Sequence, residues 1–292
     1  MQHLAHITEN RRRCGAKIGG NMRNILRIAA LVILAISMVG GTSSATMFGE
    51  DITQYDGYSS TEKLWWSDRE DEEVEPNAQT GQGWDLEGFF LDNTKLTVVG
   101  GFDFIAGNSD IYSGDIFIDV NGDVSYGVDD GQLSDNGGGY YDILNLFGYD
   151  YVLDLDLKDQ DNLADPGTFA YTVYAIDETA VLKSGKYRVL DESSPYQYVS
   201  GGTEVDSGTF LYQAGLTDDE VGFAGGRHNA LTVDLAFLPS ASSFTTHFAQ
   251  GCGNDNLMGY HGAAPVPEPA TMVLFGTGLI GLAGIGRKKL AR

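Results

Sequence analysis

Tyr149-Asp150-Tyr151-Val152-Leu153-Asp154-Leu155-Asp156-Leu157 is the stretch that decides the fold. Tyr149, Tyr151, Leu153, Leu155 and Leu157 share one parity; Asp150, Val152, Asp154 and Asp156 share the other. Successive side chains of an extended chain point to opposite faces. The pattern therefore predicts a strand with one face on a core and one face wet and acidic. The same period recurs on both sides of it. Residues 115–120 set Ile116, Ile118 and Val120 against Phe117 and Asp119, and residues 169–176 put Phe169, Tyr171, Val173 and Ala175 on one face. Residues 230–238 alternate Leu231, Val233, Leu235 and Phe237 with Thr232, Asp234 and Ala236. Residues 186–190, 210–213 and 244–248 read the same way, and residues 95–105, with Leu96, Val98 and the pair Gly100-Gly101, predict a strand carrying a bulge. Turn residues separate the runs: Asn121-Gly122-Asp123, Asn136-Gly137-Gly138-Gly139, Asp165-Pro166-Gly167 and Ser200-Gly201-Gly202. Many short strands, 39 glycines and little helical period predict an all-β fold, an antiparallel β-sandwich of jelly-roll type, with a barrel as the main competing architecture. One helical turn is expected over residues 142–147, and no long helix outside the chain ends.

Both ends have a different composition. Arg23 and Arg27 precede an apolar run over residues 28–39, and Ser43 and Ala45 stand three residues and one residue before a cut ahead of Thr46. A basic stretch, a short apolar stretch and a small-residue cleavage site make a secretory signal peptide. Met22 opens this pattern and reads as its true start. Arg11, Arg12 and Arg13 lead into Cys14-Gly15-Ala16 rather than the apolar continuation of a twin-arginine signal. At the other end, Pro267-Glu268-Pro269 introduces an apolar stretch of 17 residues, 270–286, followed by Arg287, Lys288, Lys289 and Arg292. The prolines hold the backbone extended and stop a helix from growing backwards. Seventeen apolar residues are the short end of a membrane-spanning helix, and the basic cluster keeps the cytoplasmic side. The expected organisation is a signal region over 1–45, a β-sandwich ectodomain over 46–262, a Pro-rich linker over 263–269, and a transmembrane helix with a basic tail over 270–292.

The order of the tail resembles the PEP-CTERM sorting signal of bacterial proteins handled by exosortase-type membrane enzymes. The resemblance implies that Pro267, Glu268, Pro269, Arg287, Lys288 and Lys289 are read by that processing enzyme, and that they are recognised rather than catalytic. Residues 84–88, 114–123, 149–155 and 252–257 also resemble a group of exported proteins carrying this signal. That resemblance implies a β-rich surface domain with no assigned activity, of the kind that accompanies exopolysaccharide or biofilm production. The location implied is the inner membrane before processing, then the cell envelope or extracellular matrix.

Charge narrows the partners. Residues 46–265 hold 39 of the 41 acids and 8 of the 18 bases, 39 acids against 8 bases, or a formal charge of −31. Such a surface repels nucleic acid and anionic lipid, and favours cations, basic partners and solubility. Cys252 is the one cysteine of the expected mature chain, so no intramolecular disulfide is available and the fold rests on its core.

Candidate chemistry is sparse. Asp119, Asn121 and Asp123 alternate around Gly122, with Asp115 upstream, and oxygen ligands at every second position can wrap calcium. Asn-Gly between strands is equally the residue pair of a tight hairpin turn, and the distal Glu of a calcium hand is missing at its spacing. Asp154, Asp156, Asp159 and Asp161 read as a wet strand face running into a loop, and the acidic run over 68–76 as a solvated loop. Trp65-Trp66 offers a stacking platform for sugar, or ordinary packing. His247, Cys252 and Asn254 or Asp255 could be imagined as a nucleophilic set, but a separation of five puts His247 and Cys252 on opposite faces of a continuous strand. His228, His247 and His261 lack metal-ligand spacing, and no nucleophile elbow, zinc helix motif or phosphate loop occurs. The expectation is a non-catalytic exported surface or matrix protein. Two alternatives from other classes are a calcium-dependent carbohydrate-binding module and a polysaccharide-active hydrolase.

Overall fold

The computed structural model describes residues 47–54, 74, 78–125, 132–135, 139–157, 167–186, 193–239 and 243–262. The chain divides into two units, Met1–Ser43 and Ser44–Arg292, and all described residues belong to the second. The signal region, Trp65, Trp66, Asp159, Asp161 and the tail from 263 onward, with Pro267, Glu268, Pro269, Arg287, Lys288 and Lys289, lie outside the described residues. Among the described residues no helix is long and apolar enough to cross a membrane.

Fifteen strands carry the fold among the described residues: β1 (Glu50–Asp51), β2 (Thr53–Gln54), β3 (Leu86–Asp92), β4 (Lys95–Gly100), β5 (Ile116–Asp119), β6 (Gln132–Asp135), β7 (Tyr141–Leu144), β8 (Tyr151–Leu155), β9 (Gly167–Ala175), β10 (Val181–Lys183), β11 (Gln197–Ser200), β12 (Thr203–Leu216), β13 (His228–Asp234), β14 (Phe244–Ala249) and β15 (Asn256–His261). One helical turn, α1 (Asp218–Val221), lies between β12 and β13. All pairings are antiparallel, as expected.

The topology bears out the antiparallel all-β expectation and lies closer to the competing barrel than to a plain two-sheet sandwich. One sheet holds eleven strands in the order β1-β3-β4-β13-β12-β9-β8-β5-β14-β15-β2. Its two outermost strands are successive pieces of one segment, joined at Ile52, so the sheet returns on itself like a barrel. Ile52 N–H donates to Phe89 O at 2.9 Å, and Ile52 O accepts from Tyr260 N–H at 2.8 Å. A barrel solves the exposed-edge problem that an open sheet would leave at β3 and β15. The second sheet is small, β11-β10-β7-β6.

The alternating residues assemble the main core. Ile116, Ile118, Leu153, Leu155, Tyr171, Val173, Leu231, Val233, Phe244 and Phe248 all lie in it, each from the parity expected to face inward. Val152 corrects the reading of β8 as wet on its other face. It is buried with Phe117, Ile143, Tyr149 and Leu182 in a second cluster, beneath β7, β10 and β11. The small sheet thus covers the outer face of β5 and β8, which is why all four β5 residues are buried. A third cluster covers the outside of β3, β4 and β13 and joins Phe48, Phe90, Val99, Leu216, Val221, Phe223 and Ala230. Burying each such Phe or Leu is worth about 1.5–3 kcal/mol.

Two local expectations also change. The strand begun at Lys95 ends at Gly100, and the bulge lies across from it, where Leu86 faces Gly100 and Gly88 faces Val99, leaving Glu87 extra. A Cβ at Gly101 would lie 2.0 Å from Gln82 O, so glycine permits the turn there, with Gly101 and Phe102 both donating to Asp85 O. Residues 142–147 begin in strand β7 rather than a helical turn, because Ile143 pairs with Leu182 in the second cluster.

Candidate functional site

The acidic loop after β5 is the first candidate. Asp119 is buried at its head, and its Oδ1 accepts from the N–H groups of Asn121 and Gly122, both at 2.9 Å. Asn121 Oδ1 accepts from Asp123 N–H at 3.0 Å, and Gly122 takes φ +82°. Asp150, from the start of the β8 segment, closes the loop: its Oδ2 accepts from Val120 N–H at 2.8 Å and its Oδ1 from Asn121 Nδ2 at 3.1 Å. Burial, opposed by these backbone bonds and reinforced by the charges of Asp119 and Asp123, holds the Asp150 carboxyl above the ordinary carboxylate range. Asn121-Gly122 is a turn, but it does not join paired neighbours: the next strand, β6, belongs to the small sheet.

Asp115 does not join this loop. It is buried at the opposite end of β5, where Oδ1 accepts from Leu155 N–H at 2.9 Å and Oδ2 from Tyr198 N–H at 2.7 Å. The carboxylate thus ties β8 and β11 to the start of β5, linking the large sheet to the small one. Of the four residues expected to surround calcium, the structure gathers Asp119, Asn121 and Asp123 and replaces Asp115 with Asp150. Among the described residues, Asp119 Oδ2 is left buried without a hydrogen bond. Among them too, no three His, Cys, Asp or Glu side chains stand close enough together to hold a metal ion.

The sequence reading missed a second constellation. His228, at the head of β13, is fully buried. Its Nδ1 faces both carboxylate oxygens of Glu87 at 2.8 and 2.7 Å, and its Nε2 faces Asp218 Oδ1 at 3.0 Å. Gln82 Nε2 donates to Glu87 Oε1 at 2.7 Å. The β3 bulge presents Glu87, and α1 presents Asp218. Thr217 and Glu220 form the capping box of α1, with Glu220 Oε2 accepting from Thr217 N–H at 2.8 Å, and Gly222 ends the turn in the left-handed region. Burial disfavours a charged imidazole here, but the hydrogen bonds and charges of Glu87 and Asp218 outweigh it and raise the His228 pKa above its ordinary value. Through these contacts His228 ties α1, by Asp218, to Glu87 of β3.

The imagined nucleophilic set is occupied otherwise. His247 is fully buried, with Nε2 on Pro195 O at 2.9 Å and Nδ1 on Met258 Sδ at 3.1 Å. Burial pushes its pKa down to about 4, against the pull of the Pro195 carbonyl, so this imidazole is neutral. Asn254 pairs through its amide with the backbone of Gln79, Asp255 Oδ2 accepts from Leu86 N–H, and Cys252 is buried with Sγ 3.7 Å from Gln250 Oε1. Asp154 is half-buried and Asp156 exposed on the outer side of the large sheet.

The last strand, β15, ends at His261. Four positions further on, residues 265–288 match the family described as the PEP-CTERM protein-sorting motif. No curated protein and no solved structure matches the chain. The match at residues 265–288 supports an exported protein sorted through its C-terminus by an exosortase-type enzyme.

Proposed function

We propose that this is a non-catalytic surface or extracellular-matrix protein: a soluble β-barrel domain delivered by its C-terminal signal and released into an exopolysaccharide-rich exterior. The observation that carries the reading is the match at residues 265–288, set directly after the closing strand β15. The buried polar residues support it. Asp115, Asn254 and Asp255 spend their side chains on backbone groups, and His247 is buried and neutral, so each serves the scaffold. A formal charge of −31 over residues 46–265 suits a domain that must remain dispersed outside the cell. Pro267, Glu268 and Pro269 are read by the processing enzyme, and Arg287, Lys288 and Lys289 hold the tail on the cytoplasmic side until the cut.

The test is processing in the native host. Glu268→Ala with Pro269→Ala leaves the full-length form in the membrane fraction while the wild type is released. Equal release of both would refute the role given to these residues.

A specific observation keeps a cation-dependent reading in view. Among the described residues Asp119 Oδ2 is buried without a hydrogen-bond partner, and burial and two neighbouring carboxylates raise the Asp150 pKa. A calcium ion there would relieve both, and would make the loop part of a carbohydrate-binding surface. Glycan-array signal that disappears with chelator supports this reading; signal indifferent to chelator excludes it.

A further inference from the structure

One five-residue segment fills both edges of the large sheet. Glu50 and Asp51 pair with Leu91 and Phe90 of β3, and Thr53 and Gln54 pair with Gly259 and Met258 of β15. At the crossing point Thr53 Oγ1 accepts from Phe89 N–H at 2.9 Å, standing in for a ladder bond to β3 after the backbone has turned to β15. The side chains give the segment a specific key. Phe48 is buried with its ring 6.2 Å from that of Phe90, and Ile52 is buried in the main core. Gly49 takes φ +101°, and a Cβ there would lie 2.3 Å from Leu91 O, so only glycine approaches β3 this closely. The groove is shaped to match: a Cβ at Gly88 would lie 3.0 Å from Thr53 Oγ1. Glu50, Asp51 and Gln54 are exposed, so the hold consists of two apolar knobs, the Thr53 hydroxyl and a few backbone bonds.

We propose that residues 48–54 form an exchangeable strap, and that the groove between β3 and β15 also takes the same strap from a second copy of this chain. The length of chain beyond the strap permits it. Nineteen residues, 55–73, separate Gln54 from Val74, the next described and again buried residue. At up to about 3.3–3.6 Å per residue they reach roughly 65 Å, enough to enter a neighbouring domain. The expected cut before Thr46 leaves the strap beside a free chain end, so it can change seats without threading. The two seats are chemically identical, so no affinity difference opposes exchange. The balance is set by concentration, because only the exchanged form needs a second copy. Backbone pairing supplies the attraction and the Phe48-Gly49-x-x-Ile52 key supplies specificity for self over other extended segments.

The test uses the mature protein purified from its host, its N-terminus first verified by mass. Gln54→Cys and Met258→Cys are made on separate chains, and the two are mixed at about 0.1 and 1 mM under mild oxidant. The expected result is a heterodimer whose digest holds a disulfide-linked peptide joining position 54 of one chain to position 258 of the other. Its yield rises about tenfold with the tenfold concentration in the dilute range. Both substitutions on one chain give the same linked peptide within a monomer and suppress the dimer. Glu50→Cys with Leu91→Cys, the register pair at the other edge, repeats the test independently should Met258→Cys not fold. The proposal is overturned if the doubly substituted chain closes on itself while the mixed single variants give no heterodimer at about 1 mM. Cross-linking of the M258C thiol to a different host protein, instead of to the Q54C thiol, also overturns it.

Discussion

Removing the carboxylate of Asp115 tests whether this residue, placed by its sequence neighbourhood among calcium ligands, is a structural clamp. It is buried, and it accepts two backbone N–H bonds at 2.9 and 2.7 Å, from Leu155 and Tyr198. Asp115→Ala leaves both donors facing an apolar hole. An unsatisfied buried donor costs about 1–3 kcal/mol, so the two together predict a loss of about 2–6 kcal/mol. Asp115→Asn keeps one acceptor and turns an amide donor toward the other N–H, for about half that loss. The assay is equilibrium urea unfolding of the exported domain, monitored by aromatic fluorescence, since Tyr198 is one of the two partners. The midpoint falls while the slope is unchanged, and calcium makes no difference to the shift. A loss below about 1 kcal/mol, or a loss seen only with calcium present, would refute the clamp.

Other consequences are independent. His228 has a raised folded pKa, so its contribution is fully present below its unfolded value of about 6.5 and fades as pH rises through the folded value. His228→Gln should therefore flatten the fall in Tm above about pH 6.5 and speed amide exchange in α1; an unchanged slope counts against the imidazolium. His247 has the opposite sign: lowered to about 4, it contributes stability above about pH 6.5 that is lost as pH falls toward 4, on the order of 3 kcal/mol. His247→Phe should remove that part of the acid destabilisation, measured as urea midpoint against pH. Gly49→Ala should cost about 2–3 kcal/mol, because the positive φ and the contact with Leu91 O both resist a side chain; a neutral effect would mean the strap is not seated as described.

Period-two alternation was enough to identify β5, β8, β9, β13 and β14, because each buries one or both faces in clusters that respect parity. It failed where parity carries no information. Leu-Glu-Gly-Phe-Phe-Leu of β3 is buried residue by residue on both faces, so its apolar run has no period to read. The closing strands β1 and β2 are two residues each, too short for any pattern, and barrel rather than sandwich turns on them. Only Phe210 to Gln213 stood out in β12, because Thr203 to Ser207 are exposed and, Val205 apart, polar. The turn α1 was passed over although its signature is local: Thr217-x-x-Glu220 with Gly222 beyond is a capping pattern. The Glu87–His228 contact was not, since 141 residues separate the partners and only the register slip in β3 brings Glu87 to face the imidazole. In the loop after β5, spacing singled out Asp119, Asn121 and Asp123 but not Asp150, whose place depends on strand pairing between β5 and β8.

The intact mass of the mature protein from its native host bears most directly on export and C-terminal sorting. A species beginning at Thr46 and ending within or just before residues 265–288 is the predicted result. A cytosolic chain with both ends uncut would contradict the account.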